Sequence, residues 1–254
     1  QLVEQVRDGV ADIVWTLPGY TAGRFPSVEV FELPFMMQNP EATSKALWDY
    51  VEQYASAEFK DVKPLAFHVH GDGVFHMTNK PVRTAADLKG LKLRAPTRTT
   101  NKFLALLGAT PVSMPVPQVG DALSKGVIDG AVVPYEVVPS VKIQELVKFH
   151  SETDPAEPAF YTSTFIFAMN KAKYESLPAE LKKVIDANSG QALSGQIGKA
   201  FLQADGEGKK LTARNTTNVI PRAELESWKK VGQPLTEAWV AEMNAKGLNG
   251  KQML

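Results

Sequence analysis

One short segment carries the residues best suited to bind an anion. Arg94 stands near the end of a strand predicted over Lys92–Ala95, and Thr97 and Arg98 follow it before a helical pattern. Ligands of open α/β sheets bind beyond the carboxyl ends of the strands, and a guanidinium can hold a carboxylate by two parallel hydrogen bonds. The segment predicts a carboxylate clamp at Arg94, with Thr97 and Arg98 as further donors. The alternatives are a solvated arginine at position 94 and a surface ion pair at position 98.

A second segment brings three histidines close together along the chain. His68 and His70 would project from the same face of a strand, and Asp72 or His76 could complete a divalent-metal set. This is the basis of the alternative function, a metal-dependent enzyme, although the spacing matches no strong zinc signature. Histidines near a strand also serve simply as donors to carbonyl groups. His70 precedes Gly71–Gly73, a predicted crossover, where its neutral imidazole could instead donate to a ligand.

Composition narrows the classes of protein that the chain can represent. The 254 residues are 44% hydrophobic and contain 28 basic and 28 acidic residues, so no electrostatic footprint for nucleic acid is visible. No apolar run reaches the length of a membrane span, and direct membrane insertion is not expected. There are no cysteines, which excludes thiol catalysis and cysteine-type zinc sites. We find no nucleophile elbow, phosphate-binding glycine loop or His-Glu-x-x-His motif.

A duplicated pattern predicts how the chain is organised. The segments Arg7–Pro18 and Ser124–Tyr135 each continue a helical pattern into a glycine, an apolar strand and a proline. Gly9 and Gly126 suit the left-handed cap at the end of a helix, and the prolines mark where the chain leaves the sheet. The two copies are too far apart for a solenoid repeat and predict two similar α/β lobes that face a cleft.

Short β-like runs alternate with helical ones along the rest of the chain. This alternation predicts an α/β fold with two doubly wound lobes built on parallel sheets. The predicted strands are Ala11–Leu17, Lys63–His70, Val74–Thr78, Lys92–Ala95, Ile128–Val133 and Thr162–Asn170. The predicted helices are Pro40–Ala57, Thr84–Leu88, Thr100–Leu107, Gln118–Lys125, one long helix from Pro178 to about Leu211 beside both lobes, and a C-terminal helical cap containing Trp228 and Trp239.

Six short motifs are distributed over nearly the whole chain: Val30–Phe35, Leu91–Pro96, Leu107–Pro115, Ala122–Gly130, Met169-Asn170 and Leu177-Pro178. In their order and spacing, they resemble the solute-binding proteins of tripartite ATP-independent periplasmic (TRAP) transporters. The resemblance implies a periplasmic-binding-protein type II-like receptor that closes around an organic acid, with Arg94 as the carboxylate clamp. It also implies delivery to membrane permease subunits, a periplasmic location, no cofactor and no catalysis.

The resemblance also predicts how the chain divides into lobes. We expect residues 1–71 and 163–200 to form the first lobe, and residues 72–162 and 201–254 to form the second. The family begins earlier, with a strand, a helix and a strand, and the chain starts inside a helical pattern without a signal peptide. We therefore expect the sheet of the first lobe to be incomplete here.

Departures from the sugar-acid members of the family bear on the ligand. Val133 and Val74 stand where those members carry an asparagine and a second arginine, and an apolar Val116 follows Pro115. Hydroxyl groups of a sugar acid would be left unpaired beside such residues. We therefore expect an apolar or aromatic monocarboxylate, such as an aryl-substituted or branched 2-oxo or 2-hydroxy acid. The aromatic candidates for lining its cavity, each with ordinary packing as the alternative, are Trp15, Tyr20, Phe160 and Tyr161.

Overall fold

The computed structural model describes residues 2–254, in which nine strands form two separate sheets. The strands are β1 (Ile13–Thr16), β2 (Val62–Val69), β3 (Val74–Met77), β4 (Lys92–Ala95), β5 (Thr110–Ser113), β6 (Gly130–Val133), β7 (Phe149–Glu152), β8 (Thr164–Asn170) and β9 (Thr216–Val219). The three-stranded sheet has the order β1-β8-β2, and the six-stranded sheet has the order β5-β4-β6-β3-β7-β9. We call the three-stranded sheet with the elements packed on it the small lobe, and the six-stranded sheet with the elements packed on it the large lobe. Gln1, which starts the predicted first helix, lies outside the described residues.

Helices and tight turns connect the strands. The α-helices are α1 (Leu2–Arg7), α2 (Pro40–Tyr50), α3 (Ala85–Leu88), α4 (Arg98–Leu106), α5 (Val119–Ser124), α6 (Val138–Val141), α7 (Ile143–Leu146), α8 (Lys171–Glu175), α9 (Ala179–Ala187), α10 (Gln191–Leu211), α11 (Arg222–Ala245) and α12 (Gly250–Met253). Helix α2 continues as a π-turn and a 3₁₀ turn to Phe59. Further 3₁₀ turns lie at Pro18–Tyr20, Ser27–Glu32, Val116–Gln118 and Tyr135–Val137.

The large lobe has the doubly wound character that the sequence predicts. Phe75 and Met77 of β3 face a core with residues of α4 and α11, whereas Val74 faces a second core with residues of α5, α6 and α7. Alternate residues of β3 therefore face two buried layers, since successive side chains of a strand point to opposite faces. Helices cover both sides of this sheet.

The expectation of purely parallel sheets is wrong. Strands β4, β5 and β6 run parallel to one another, but β3 is antiparallel to both β6 and β7. In the small sheet, β8 is antiparallel to β1 and to β2. The antiparallel strands are the two that follow a passage of the chain between the lobes. Strand β3 enters the large sheet directly from β2, and β8 enters the small sheet from the large lobe. Each is antiparallel to the strands on both sides of it.

The duplicated pattern forms two similar units, as predicted. Helices α1 and α5 are followed by Gly9 and Gly126 with φ values of 76° and 66°, and then by β1 and β6. Only glycine adopts such positive φ values without steric cost. A proline follows soon after each strand, and a 3₁₀ turn begins at Pro18 in the first unit and directly after Pro134 in the second. The two units place the ends of β1 and β6 in different lobes, facing one cavity.

The prediction of one helix from Pro178 to about Leu211 is wrong, because the helix is interrupted between α9 and α10. Gly190 has a φ of 92°, and its amide donates to the Leu65 carbonyl, which ends the helical hydrogen-bond ladder. Helix α10 nevertheless spans both lobes, packing on α2 and β2 on one side and on α6 and the Tyr135–Val137 turn on the other. Its 21 residues extend about 32 Å.

The long helix α11 also reaches both lobes. Trp228 packs edge-on against Phe75 in the large-lobe core, with ring centroids 5.8 Å apart. Trp239 donates to the Pro26 carbonyl at 2.8 Å, beside the Ser27–Glu32 turn. Helices α10 and α11 thus contact both lobes. We propose that the chain passes from one lobe to the other at residues 71/72, 162/163 and 200/201, as the sequence predicts.

Candidate functional site

A cavity of about 420 Å³ lies between the two lobes. Its volume is within the range of pockets that enclose small organic ligands. Both lobes and the crossover segments contribute to its wall, which is formed by Leu2, Trp15, Thr16, Leu17, Tyr20, His70, Arg94, Pro96, Val116, Pro117, Val133, Pro134, Glu136, Val137, Ser140, Tyr161, Ser163 and Phe165. Seven of the residues singled out from the sequence therefore lie together: Trp15, Tyr20, His70, Arg94, Val116, Val133 and Tyr161.

Arg94 is the cationic group of this cavity. It lies on β4, between the parallel neighbours β5 and β6, and its side chain is 1% exposed. Nε donates to the Met114 carbonyl at 2.9 Å, and Nη1 donates to the Val132 carbonyl at 3.1 Å. Nη2 lies 3.4 Å from the Tyr20 phenol oxygen. A guanidinium has five N–H donors, so one remains free on each terminal nitrogen.

No carboxylate of the described residues forms an ion pair with Arg94. Burial lowers the pKa of Arg94, which shows that its surroundings disfavour the charged form. An arginine stays protonated even so. A buried cation without a counterion is costly, and an anion in the cavity would offset that cost.

Tyr20 joins the two lobes at the same end of the cavity. Its phenol oxygen accepts hydrogen bonds from the Val116 amide at 3.1 Å and from Arg94. Because both contacts use the oxygen as an acceptor, the phenol proton remains available for a ligand. Tyr161, fully buried, lies close enough to Arg94 and Tyr20 for their charges to influence its pKa, which burial raises. Arg94, Tyr20 and Tyr161 thus gather polar groups at one end.

His70 lines the cavity with a fixed tautomer. Its Nδ1 lies 2.6 Å from the Gly71 carbonyl oxygen, which can only accept, so Nδ1 carries the proton. Burial lowers the pKa of His70 to about 3, and the imidazole is therefore neutral. We expected His70 to donate a hydrogen bond to a ligand, but its only ring proton is already donated to the Gly71 carbonyl. Towards a ligand, His70 therefore offers the Nε2 lone pair as an acceptor.

The remaining wall is mainly apolar and aromatic. Trp15 stacks on Phe165 with centroids 5.0 Å apart, and Val116 and Val133 face them from the large lobe. The Trp15 indole N–H donates to Nε2 of His68 at 2.7 Å, which fixes the orientation of the indole. A flat apolar group would replace water here with favourable contacts.

Four of the singled-out residues lie outside this cavity. Val74 and Phe160 are fully packed in the cores of the large lobe, where Phe160 stacks on Phe75 at 4.6 Å. Thr97 is the N-cap of α4, and its hydroxyl accepts from the Thr100 amide. Arg98 begins α4 and turns away into ion pairs with acidic residues, Glu29 and Glu242.

The histidines are distributed between separate hydrogen bonds. His76 lies 2.7 Å from His150 through their Nδ1 atoms and contacts the Val133 carbonyl through Nε2. His68 accepts a hydrogen bond from Trp15, and Asp72 lies close to two other carboxylates, Glu152 and Asp205. Across residues 2–254, no group of three or more histidine, aspartate or glutamate side chains is arranged to hold a metal ion. The alternative of a metal-dependent enzyme therefore lacks a ligand cluster.

Two polar cavity residues escaped the sequence reasoning. Ser163 is 1% exposed, and its hydroxyl has no hydrogen-bond partner among the described residues. Burial and the nearby Asp205 raise the pKa of Glu136 to about 7. Glu136 follows the end of β6, so the strand-end rule that selected Arg94 would also have found it. Ser163 depends on the pairing of β2 with β8, which no local pattern reveals.

The helices within residues 2–254 are too short or too polar for any of them to traverse a lipid bilayer.

Two lobes that share a cavity with a buried, unpaired arginine define a receptor for a small anionic solute. Comparison with known proteins agrees with this class. The chain belongs to the bacterial extracellular solute-binding proteins of family 7, whose model matches residues 1–243, and it is a TRAP solute-binding protein.

Two solved structures are particularly similar. A TRAP solute-binding protein from Rhodoferax ferrireducens T118, in complex with copurified benzoate, is 55% identical with a TM-score of 0.98, over 100% of this chain and 79% of that one. A marine metagenome TRAP solute-binding protein specific for aromatic acid ligands, in complex with metahydroxyphenylacetate, is 49% identical with a TM-score of 0.96, over 100% and 80% of the two chains.

A curated relative is the 2,3-diketo-L-gulonate-binding periplasmic protein YiaO of Escherichia coli K12. It is 31% identical over 194 residues, which are 75% of this chain. The match spans 58% of the length of that relative.

Proposed function

We propose that this chain binds an aromatic monocarboxylate between its lobes and delivers it to the membrane permease subunits of a TRAP transporter. The observation that carries the proposal is Arg94, a nearly fully buried guanidinium that faces the cavity without a carboxylate partner. A ligand carboxylate would neutralise its charge and use the free N–H group on each terminal nitrogen. The Tyr20 proton would add a third donor.

The apolar wall supports an aromatic body for this acid. Trp15 and Phe165 form a stacked surface on the small lobe, and Val116 and Val133 face it from the large lobe. A polyhydroxylated acid would leave several hydroxyl groups against these side chains, at roughly 1–3 kcal/mol for each unpaired group. An aryl-substituted acid, including a 2-oxo or 2-hydroxy acid, fits this wall better.

The bound ligands of the similar structures support the same class. The Rhodoferax protein copurified with benzoate, and the marine protein is specific for aromatic acids. The E. coli relative binds a diketo sugar acid but is much less similar. The name of that relative also supports a periplasmic location for this chain.

Contacts across the cavity support a receptor that closes on its ligand. Tyr20 of the small lobe reaches the Val116 amide and Arg94 of the large lobe. A carboxylate bound to Arg94 and Tyr20 together would stabilise the closed arrangement over an open one. Such a difference in affinity shifts the population towards the closed receptor.

Calorimetric titration tests the ligand class. We expect benzoate, phenylacetate, mandelate or benzoylformate to bind with micromolar or tighter affinity, and succinate and sialic acid to bind far more weakly. Mass spectrometry of small molecules released by denaturing the purified protein provides an independent check. Tight binding restricted to succinate or sialic acid would refute the aromatic assignment.

A further inference from the structure

The hydroxyl of Ser163 is a buried polar group that lacks a partner. Its side chain is 1% exposed, and Oγ makes no hydrogen bond to any of residues 2–254. Buried polar groups are nearly always hydrogen-bonded, to protein or to another molecule. Ser163 lines the cavity between the lobes, where a bound molecule would supply the missing partner.

His70 offers the complementary group. Its Nδ1 proton is donated to the Gly71 carbonyl, which leaves Nε2 as an acceptor in the neutral ring. No donor from the described residues reaches Nε2. The imidazole lines the same cavity and packs edge-on against Tyr161 and Phe165, which hold its plane.

The strand register places these two side chains next to each other. Val69 of β2 pairs with Thr164 of β8 in an antiparallel ladder. The ladder ends there, and the same register continued by one residue sets His70 opposite Ser163. The Thr162 hydroxyl donates to the His70 carbonyl at 3.0 Å, which holds the two chains together just beyond this point. Side chains directly opposite each other in such a ladder lie on the same face. The cavity therefore contains an acceptor beside a hydroxyl with free capacity.

We propose that His70 Nε2 and Ser163 Oγ together bind a hydroxyl group of the ligand, beside the carboxylate held by Arg94. A hydroxyl donates to the imidazole nitrogen and accepts from the serine, whereas a keto or ether oxygen only accepts. The inference rests on the proposed function and narrows it from aromatic acids to hydroxylated aromatic acids. The hydroxyl is carried either on C2 of the acid or on the aromatic ring.

Matched pairs of ligands test the inference and separate these two sources. Mandelate is compared with phenylacetate and with benzoylformate, its 2-oxo counterpart. The ring series compares 3-hydroxybenzoate with benzoate and with 3-methoxybenzoate. In the series whose hydroxyl reaches His70 and Ser163, we expect the hydroxy acid to bind about tenfold tighter than its parent, as one or two neutral hydrogen bonds would give. The 2-oxo or methoxy analogue should show no such gain.

A serine variant and its matched control identify the residue responsible. Ser163→Ala should reduce the hydroxyl preference severalfold while leaving the thermal stability of the ligand-free protein unchanged or higher, because Oγ has no protein partner to lose. Ser124→Ala is the control, because the Ser124 hydroxyl lies outside the cavity and donates to the Asp121 carbonyl at 2.9 Å. Its preference should equal that of the wild type.

The outcomes distinguish this inference from the proposed function. If parent and hydroxy acids bind equally well in both series, or if the preference survives in Ser163→Ala, the hydroxyl site is overturned and the aromatic receptor stands. If no aromatic acid binds the wild-type protein, the proposed function itself fails.

Discussion

Arg98 of the large lobe lies 2.6 Å from a carboxylate oxygen of Glu29 in the small lobe, and it also pairs with Glu242 of α11 at 3.0 Å. These ion pairs raise the pKa of Arg98. Burial nevertheless raises the pKa of Glu29, so this carboxylate is expensive to leave without its partner. The pair joins the lobes, and neither residue lines the ligand cavity.

Removing the arginine should destabilise the protein without abolishing binding. We expect Arg98→Met to lower the free energy of unfolding by about 2 kcal/mol, because it leaves a largely buried carboxylate unpaired. The double variant with Glu29→Gln should recover part of that loss. Urea unfolding and calorimetry on the same samples measure both properties. A variant of normal stability that no longer binds an aromatic acid would show instead that Arg98 contacts the ligand.

A carboxyl cluster formed by Asp72, Glu136 and Asp205 should make stability depend on pH. Burial raises the pKa of Asp205 to about 7, with a further contribution from Asp72. Burial raises the pKa of Asp72 to about 6 and that of Glu136 to about 7. The folded protein therefore binds more protons than the unfolded chain between about pH 4 and pH 7. Stability from these groups is present at low pH and is lost as the pH rises through this window.

The variant Asp205→Asn isolates this effect. It keeps the side-chain oxygen that accepts from the Glu136 amide at 2.8 Å but removes the charge. We expect the free energy of unfolding that the variant gains over the wild type to be about 1–2 kcal/mol larger at pH 7.5 than at pH 5. Buried His68, with a pKa lowered to about 4, and His70 and His76, with pKa values lowered to about 3, oppose the trend below pH 6.5, but they cancel in the difference. A stability difference that does not vary with pH would contradict the prediction.

Close helix packing explains one glycine of α10 and provides another test. A Cβ on Gly198 would lie 2.4 Å from the Pro40 carbonyl oxygen and 2.5 Å from the Ser44 hydroxyl, whereas nothing lies within 4 Å of one on Gly206. Gly198→Ala should cost about 1–3 kcal/mol through overpacking against α2.

Gly206→Ala is the matched control in the same helix. It should stabilise the protein by up to about 1 kcal/mol, because alanine favours helix over glycine. Urea unfolding of both variants decides the matter. Equal effects would show that α10 does not pack tightly against the small lobe.

The sequence predicted the parts of the site that follow local rules. Strand β4 has the predicted bounds Lys92–Ala95, and the strand-end rule placed Arg94 where the structure has a cavity. The duplicated glycine-strand-proline pattern located β1 and β6. These features depend on a few consecutive residues and on the chirality of the chain, so they can be predicted without knowing the tertiary contacts.

Other features depend on partners that are distant in the chain. Thr97 and Arg98 follow Arg94 closely, yet a helix N-terminus and Glu29 divert their side chains from the cavity. Strand β5 was missed because Pro111 and polar ends obscure its pattern, and its parallel pairing with β4 stabilises it. The break at Gly190 likewise requires the Leu65 carbonyl as its partner.

The most direct test of the receptor is titration of Arg94→Met with benzoate, beside Arg83→Met as a control for loss of an exposed arginine in the same lobe. We expect Arg94→Met to lose roughly 3–5 kcal/mol of binding free energy, because the buried carboxylate of the ligand then has no cationic partner. Arg83→Met should bind as the wild type does. Wild-type affinity in a folded Arg94→Met protein would contradict the central claim that this guanidinium holds the ligand.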